Sequence, residues 1–97
     1  MSHFQWTDQA IECLAHIYHH IAQDSPQNAE TFLEKLCDSV EMQLSVSLTI
    51  GRITPEIGNP LNREILYRNY RILYYIGDDG NKAYITQVQH GAKPLDI

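Results

Sequence analysis

Residues 63–76 read Arg-Glu-Ile-Leu-Tyr-Arg-Asn-Tyr-Arg-Ile-Leu-Tyr-Tyr-Ile, and this stretch decides the fold. It is rich in β-branched and aromatic residues, which favour half-buried strands. The polar residues Arg68 and Asn69 interrupt the run at the point where a two-residue turn would lie. The stretch therefore predicts an antiparallel β-hairpin in which Tyr67 lies opposite Tyr70.

The two faces of this hairpin differ in composition. One face is apolar and aromatic, and we expect it to pack on helices; it comprises Ile65, Tyr67, Tyr70, Ile72, Tyr74 and Ile76. The other face mixes charged and apolar side chains; it comprises Glu64, Leu66, Arg71, Leu73 and Tyr75. Mixed patches of this kind often mark a site for a partner or a ligand. The mixed face is therefore the first candidate for a functional surface.

Two helices are predicted before the hairpin. Residues 3–6 have the pattern of a short strand, and Thr7 is placed to cap a helix that ends near Gln23. Ser25 and Pro26 then begin a second helix, because serine is a favoured N-cap and proline is tolerated at the first helical position. Apolar residues recur at three- and four-residue steps in both segments. An antiparallel helical hairpin is therefore predicted.

A loop is predicted between the second helix and the hairpin, because residues 51–62 include two glycines and two prolines. It carries Arg52 and Glu56 close to the start of the hairpin. Charged residues on a loop that a rigid scaffold holds are often functional. For Arg52 alone, a solvated loop charge is the favoured interpretation.

One more strand is predicted after the hairpin. A turn at residues 78–81 leads into a strand at residues 82–90, and a short tail follows at residues 91–97. The hairpin and this strand form a three-stranded antiparallel meander. Ile85 and Val88 are three residues apart, so they share the inner face only if the strand contains a bulge.

Length and charge exclude several classes of function. A chain of 97 residues predicts a single domain, residues 1–97. Its net charge is −5, of which residues 1–50 carry −6, with Lys35 as their only lysine or arginine. Because acidic residues outnumber basic ones, the chain attracts phosphate only weakly. This argues against phosphate-backbone binding and against direct sequence-specific DNA recognition. The chain lacks a signal-peptide pattern and an apolar run of roughly 20 residues, so we expect a cytoplasmic protein with no membrane partner.

Histidines and cysteines raise the question of a metal site. His16 and His20 lie one helical turn apart, the spacing at which two imidazoles can share one ion. No third ligand is evident, so a solvated polar helix face is favoured and a metal site is the alternative. Cys13 and Cys37 lack the spacing of a metal or redox motif, and we interpret them as small buried residues. We expect neither a metal nor a cofactor.

Short motifs occur in order along nearly the whole chain, and they are specific only in combination. They are Trp6-Thr7 before Ala10, the Asp24-Ser25-Pro26 break, Gly51-Arg52 with Pro55-Glu56, Arg63-Glu64, Tyr70-Arg71-Ile72 followed by Tyr74, and Val88 with His90-Gly91. With the order of the elements, these motifs resemble the RelE/ParE superfamily of toxins from bacterial toxin–antitoxin modules. The resemblance implies an α+β fold of order β-α-α-β-β-β, with a helical hairpin on one face of a mainly antiparallel sheet. It also implies a cognate antitoxin whose C-terminal segment wraps the toxin.

The superfamily implies two activities. ParE-like members inhibit DNA gyrase by binding, and the early-helix and loop motifs are more similar to this branch, which we favour. RelE-like members cleave messenger RNA on the ribosome, and the positions matching their sites are Glu56 as base, Arg71 as phosphate clamp and His90 as acid or base. The lysine-rich sheet face and C-terminal tyrosine common in that branch are absent here. A relative that binds an antitoxin but is not toxic is a third alternative.

The residues expected to contact the antitoxin or the target come from the hairpin; they are Arg63, Leu66, Arg71, Leu73 and Tyr75. Glu64 lies diagonal to Arg71 on the same face of the hairpin. A structural ion pair is therefore the alternative role for Arg71. The sequence leaves both roles open.

Overall fold

Two helices and five strands make up the part of the chain that the computed structural model describes, residues 3–77 and 79–91. They are β1 His3–Trp6, α1 Asp8–Ala22, α2 Pro26–Val46, β2 Arg52–Ile53, β3 Asn62–Tyr67, β4 Tyr70–Ile76 and β5 Lys82–His90. The predicted α+β fold and its element order are confirmed. The short strand β2 is additional, because it lies in the segment predicted to be a loop. Asp78 of the predicted turn and residues 92–97 of the predicted tail lie outside the described residues.

Both helices begin at the predicted caps. The Thr7 hydroxyl accepts from the Ala10 backbone N–H at 3.3 Å and donates to the Ile85 carbonyl at 2.7 Å, so it also links α1 to β5. The Ser25 hydroxyl accepts from the Asn28 N–H at 3.2 Å, and a proline follows it at the start of α2. These bonds satisfy backbone donors that a helix N-terminus leaves without partners.

The five strands form one sheet in the order β1-β5-β4-β3-β2. β1 pairs with β5 in parallel, and every other neighbouring pair is antiparallel. The predicted hairpin register is confirmed, with Tyr67 opposite Tyr70 across the turn formed by Arg68 and Asn69. Arg68 has a positive φ of 51°, the left-handed conformation that such tight turns require.

A bulge in the last strand resolves the face assignment that the sequence left open. Leu73 lies opposite Gln87, whereas the next residue, Tyr74, lies opposite Ile85, so Thr86 is the extra residue in β5. This shift restores the alternation, and Ile85 and Val88 are both buried, at 0% and 5% exposure. A bulge adds one residue to one strand and increases the local twist.

The core lies between the helices and one face of the sheet. Its buried members are Ala10, Leu36, Val40, Leu44, Leu48, Ile65, Ile72, Tyr74, Ile76, Ala83, Ile85 and Val88. Tyr67 and Tyr70 pack at its margin, so the apolar face of the hairpin does pack on the helices. On the edge strand β1, Trp6 donates from its ring nitrogen to a Glu41 carboxylate oxygen at 2.8 Å, which joins β1 to α2.

Tyr74 is the polar anchor inside this core. Its hydroxyl donates to the Leu48 carbonyl at 2.7 Å and accepts from the Gly51 N–H at 3.0 Å, which holds the segment between α2 and β2. A Cβ at Gly51 would lie 2.6 Å from the Glu64 carbonyl oxygen and 2.7 Å from the Tyr74 hydroxyl oxygen. Only glycine allows so close an approach of the backbone to β3 and to this hydroxyl.

Replacing Tyr74 with phenylalanine tests this anchor. Tyr74→Phe leaves a buried carbonyl and a buried N–H without their partner, so we expect the free energy of unfolding to fall by about 1–3 kcal/mol. Urea denaturation monitored by circular dichroism measures the change. Tyr75→Phe is the matched control at the neighbouring position, where the side chain is 41% exposed. The control is expected to change stability by no more than about 0.5 kcal/mol, and equal effects of the two substitutions would contradict the anchor.

The same pair of proteins gives a pH test. Burial raises the pKa of the Tyr74 hydroxyl, whereas an unfolded tyrosine releases its proton near pH ~10. The unfolded state therefore binds fewer protons than the folded state above that pH, and stability falls as pH rises. Wild-type protein is expected to lose stability in this range more steeply than Tyr74→Phe. If the free energy of unfolding fell equally steeply with pH in both proteins, the Tyr74 hydroxyl would not be responsible for the loss.

Candidate functional site

The mixed face of the hairpin lies on the side of the sheet that does not pack on the helices. We call this side the open face. Alternation along β3 and β4 places four of the five predicted partner contacts there; they are Leu66, Arg71, Leu73 and Tyr75. Their exposures differ: Leu66 is 52% exposed and Tyr75 is 41% exposed, whereas Leu73 is only 7% exposed. The accessible apolar contacts of the open face are therefore Leu66 and Tyr75.

Arg71 is the centre of a charged network on this face. Its Nε and Nη2 atoms donate to the Glu64 carboxylate, the latter at 2.6 Å. Its Nη1 and Nη2 atoms donate to the two carboxylate oxygens of Glu56 at 2.8 and 2.7 Å. The ion pair between Glu64 and Arg71, which the sequence left as the alternative role for Arg71, is present. Every nitrogen of the Arg71 guanidinium thus bonds a carboxylate, and two of the bonds form a bidentate pair with Glu56.

Arg52 adds a second cation to the network. It lies on β2 directly opposite Glu64, and its Nε and Nη2 atoms donate to a Glu64 carboxylate oxygen at 2.7 and 2.6 Å. The interpretation of Arg52 as a solvated loop charge was wrong, because a strand of only two residues leaves no recognisable pattern in the sequence. The Arg52 side chain is 53% exposed, so its ion pair is the solvent-exposed part of the network.

Burial decides what this network contributes. The Glu64 side chain is fully buried and that of Arg71 is 8% exposed, whereas Glu56 is 27% exposed. The carboxylates of Glu56 and Glu64 raise the pKa of the Arg71 guanidinium above its already high ordinary value, so it stays charged. Such a group depends on its partners, since an uncompensated buried charge is strongly destabilising. The network fastens the loop after β2 to the open face.

Arg63 lies apart from the other predicted contacts. It faces Tyr74 across the hairpin, on the helix side of the sheet. Its guanidinium donates to three backbone carbonyls, those of Pro60 at 2.9 Å, Thr49 at 3.2 Å and Gly51 at 3.0 Å. These bonds hold the two ends of the segment that contains β2. The geometry of Arg63 is that of a loop clamp.

The residues proposed for RNA cleavage come close together at one end of the sheet. Arg71 and His90 line the same open cleft of about 310 Å³. His90 packs edge-on against the Tyr70 ring, with ring centroids 5.5 Å apart. The cleft also contains Arg52 and Arg68. Glu56 accepts two hydrogen bonds from Arg71, and these bonds neutralise the cation that would bind a phosphate.

An aromatic pair on the open face was not predicted. Tyr75 and Tyr84 stack with their centroids 5.0 Å apart and their planes 23° from parallel, and the Lys82 ammonium lies 5.2 Å from the Tyr84 ring centroid. Sequence alternation alone did not assign Tyr84 to a face, because the bulge at Thr86 shifts the register. Placing the bulge between Ile85 and Val88 would have put Tyr84 beside Tyr75.

The candidates for metal binding and redox chemistry do not assemble into a site. His16 and His20 are exposed on α1, and residues 3–77 and 79–91 contain no cluster of three or more potential metal ligands. Cys13 and Cys37 are free and half-buried. Burial, with Glu41 and Asp38 nearby, raises the pKa of the Cys37 thiol, which disfavours the reactive thiolate. Neither described helix is long and apolar enough to cross a membrane.

The fold agrees with the comparison to known proteins. The family model described as the ParE toxin of the type II toxin–antitoxin system parDE matches residues 4–95. The chain belongs to this ParE toxin family. It is a member of a type II toxin family, as the sequence motifs had suggested. No curated protein sequence matches the chain significantly.

Two solved structures share the fold of this ParE-family chain. A chain of the chromosomal ParDE system from P. aeruginosa superposes with a TM-score of 0.73 at 22% identity, covering 93% of this chain and 96% of the other. A chain of the toxin–antitoxin complex RelBE2 from Mycobacterium tuberculosis superposes with a TM-score of 0.60 at 18% identity, covering 92% and 96%. At these identities the likeness establishes the architecture, and the function of each surface must come from its own residues.

Removing the buried acid tests the network. Glu64→Ala leaves Arg71 charged in a buried position with Glu56 as its remaining partner in the network, so we expect a loss of about 3–5 kcal/mol in the free energy of unfolding. Urea denaturation measures it. Glu34→Ala removes an exposed acid from α2 and is the control, with an expected change within about 0.5 kcal/mol.

A double-mutant cycle separates the pair from general disruption. Because Glu64→Ala and Arg71→Ala remove the same interaction, their combined loss should be smaller than the sum of the single losses by at least about 1 kcal/mol. Additive losses would mean that the two side chains stabilise the fold independently.

Proposed function

We propose that this ParE-family chain is a toxin that inhibits DNA gyrase by binding, acts in the cytoplasm and is neutralised by a cognate antitoxin. Membership of the ParE toxin family supports the toxin role. The choice of gyrase extends the resemblance to the ParE-like branch. The antitoxin is proposed to contact the open face, where Leu66 and Tyr75 are the accessible apolar side chains.

The observation that carries this proposal is the double pairing of Arg71. An RNA-cleaving site needs cations that are available to a phosphate in the transition state. Arg71 is the residue that matches the phosphate clamp, and its guanidinium already bonds two carboxylates. Freeing it would leave the buried Glu64 without one of its two cationic partners. Binding to a protein target places no such demand on Arg71.

The charge of the chain supports the same choice. Its net charge is −5, so long-range attraction to ribosomal or messenger RNA is weak. A protein target needs a shaped surface with apolar contacts at its centre, and the open face offers Leu66 together with the stacked Tyr75 and Tyr84.

A ribosome-dependent endoribonuclease is the second candidate function. The observation in its favour is the cleft that contains both Arg71 and His90. In that role His90 would transfer the proton, and Arg52 or Arg68 would have to supply the positive charge that Glu56 and Glu64 withdraw from Arg71. A relative that binds an antitoxin without being toxic is the third.

Plasmid supercoiling by purified DNA gyrase tests the proposed function. The purified chain at molar excess is expected to block supercoiling, and a stoichiometric amount of the antitoxin encoded beside it is expected to restore the activity. His90→Ala should inhibit as wild-type does, since a binding mechanism does not use proton transfer. Complete supercoiling at high excess of the chain would exclude gyrase as its target.

Translating ribosomes programmed with a defined message provide the opposing assay. Cleavage in the ribosomal A site that is lost in His90→Ala and Arg71→Ala would establish the second candidate in place of the first. Absence of both activities, with tight antitoxin binding, would establish the non-toxic relative.

The antitoxin surface has its own test. Leu66→Glu places a charge at the exposed apolar centre of the open face, so it should weaken antitoxin binding at least about tenfold, or about 1.4 kcal/mol. Isothermal titration calorimetry measures the affinity. Val46→Glu is the control, because Val46 is an exposed apolar residue on α2, at 74% exposure. Unchanged affinity for Leu66→Glu would place the antitoxin elsewhere.

Leu73→Glu should also weaken antitoxin binding, but it should lower the stability of the chain as well, because Leu73 is buried.

A further inference from the structure

We propose that a groove on the helix side of the hairpin tip binds a protein segment presenting a carboxylate beside an apolar or aromatic side chain. The groove measures about 270 Å³, and Ile21, Asn28, Phe32, Lys35, Tyr67 and Arg68 are among its lining residues. We call it the hairpin-tip groove. This goes beyond the proposed function, because it assigns a second surface that does not depend on gyrase as the target.

Backbone strain at Arg68 is the first observation. Its φ of 51° is a left-handed conformation, which glycine and asparagine adopt far more readily than a long side chain does. The neighbouring turn residue, Asn69, is not among the residues with positive φ. The turn therefore places an arginine at the position that favours asparagine or glycine. Strain of this kind persists where the side chain has a function that outweighs it.

Uncompensated positive charge is the second observation. Arg52 and Arg71 are neutralised by Glu56 and Glu64, whereas neither Lys35 nor Arg68 has a salt bridge within residues 3–77 and 79–91. Both side chains line the hairpin-tip groove. Lys35 is also the only lysine or arginine among residues 1–50. Two unpaired cations in one groove of an acidic chain are complementary to a carboxylate.

Aromatic rings form the floor of the groove, and they favour a partner that carries an apolar side chain beside its carboxylate. Phe32 packs against Tyr67 with ring centroids 5.8 Å apart and against Tyr70 at 5.5 Å. The Arg68 guanidinium carbon lies 5.8 Å from the Tyr67 ring centroid, close enough for a cation–π contact. An apolar side chain of the partner would contact this floor while its carboxylate reaches Lys35 and Arg68.

A protein segment fits this groove better than a nucleic acid does. Phosphate-backbone binding is built from many cation–phosphate contacts, and the groove offers two cations. A short apolar floor with a cationic rim is the usual anatomy of a protein–protein contact, in which arginine and aromatic residues are enriched. Tyr67 in the groove lies on the opposite face of the hairpin from Leu66 and Tyr75, so the groove is a surface separate from the open face.

The test uses a small carboxylate with an aromatic ring, 3-phenylpropanoate, as the probe. Titration into ¹⁵N-labelled protein is expected to shift the amide signals of Phe32, Lys35, Tyr67 and Arg68, with a Kd near about 1–10 mM. Arg68→Asn and Lys35→Gln should each weaken this binding at least about fivefold. Arg68→Lys keeps the charge and should retain the affinity within about threefold. Gln9→Glu gives the same change in net charge at an exposed position of α1 and should leave binding unchanged.

A stability measurement distinguishes a functional Arg68 from a structural one. Arg68→Asn relieves the left-handed strain, so its Tm is expected to rise by about 2–4 °C while its affinity for the probe falls. A merely structural arginine would show a lower Tm on replacement. Arg68→Lys, which keeps the strain, should melt as wild-type does.

Several outcomes would overturn the proposal: no shifts at about 20 mM probe, unchanged affinity in Arg68→Asn, or a Tm below that of wild-type in that variant. Tighter binding of hexauridylate than of the probe to the same residues would identify an RNA surface instead. All these readouts use the chain alone. A failure of gyrase inhibition therefore leaves them unaffected, and the two proposals can fail separately.

Discussion

The Glu64 carboxylate inside the sheet is the constraint on which the rest of the structure depends. A buried carboxylate requires cations and hydrogen-bond donors around it. Arg71 supplies them from β4 and Arg52 from β2. For Arg52 to reach Glu64, the chain after α2 must run along the edge of β3, and the glycine before it must allow the close backbone approach. Glu56 then binds the other side of Arg71. One internal acid thus determines the path of the whole segment between the helices and the hairpin.

This constraint also divides the arginines into two classes. Those committed to the network or to loop carbonyls, Arg52, Arg63 and Arg71, are occupied within the fold. Arg68 at the hairpin tip has no salt bridge to any residue that the structure describes, and its guanidinium lies beside the Tyr67 ring. In a ParE-family protein this division matters, because the cations that a partner meets differ from those that a sequence motif suggests. The open face offers its exposed Leu66, its tyrosines and the Lys82 ammonium beside Tyr84, and Arg68 adds a cation at the hairpin tip.

Local patterns in the sequence predicted the elements well, and long-range geometry was harder. The caps at Thr7 and Ser25 and the hairpin register follow from patterns spanning a few residues. The bulge in the last strand was only one of the ways to place Ile85 and Val88, and the structure decided it. Strand β2 was not predicted, because two residues leave no recognisable pattern and its pairing with β3 joins segments about ten residues apart. Alternation identified which residues share the open face, but it does not measure depth, so it did not separate the exposed Leu66 from the buried Leu73.

The parallel pairing of β1 with β5 affects how the chain can fold during synthesis. The first strand lies beside the last, and the Thr7 hydroxyl that caps α1 bonds a carbonyl 78 positions further along. Contacts of such long sequence separation form slowly, because a long loop must close first. The N-terminal strand therefore has no sheet partner until β5 has been made. A ParE-family chain built this way completes this five-stranded sheet only after residues 82–90 have been synthesised.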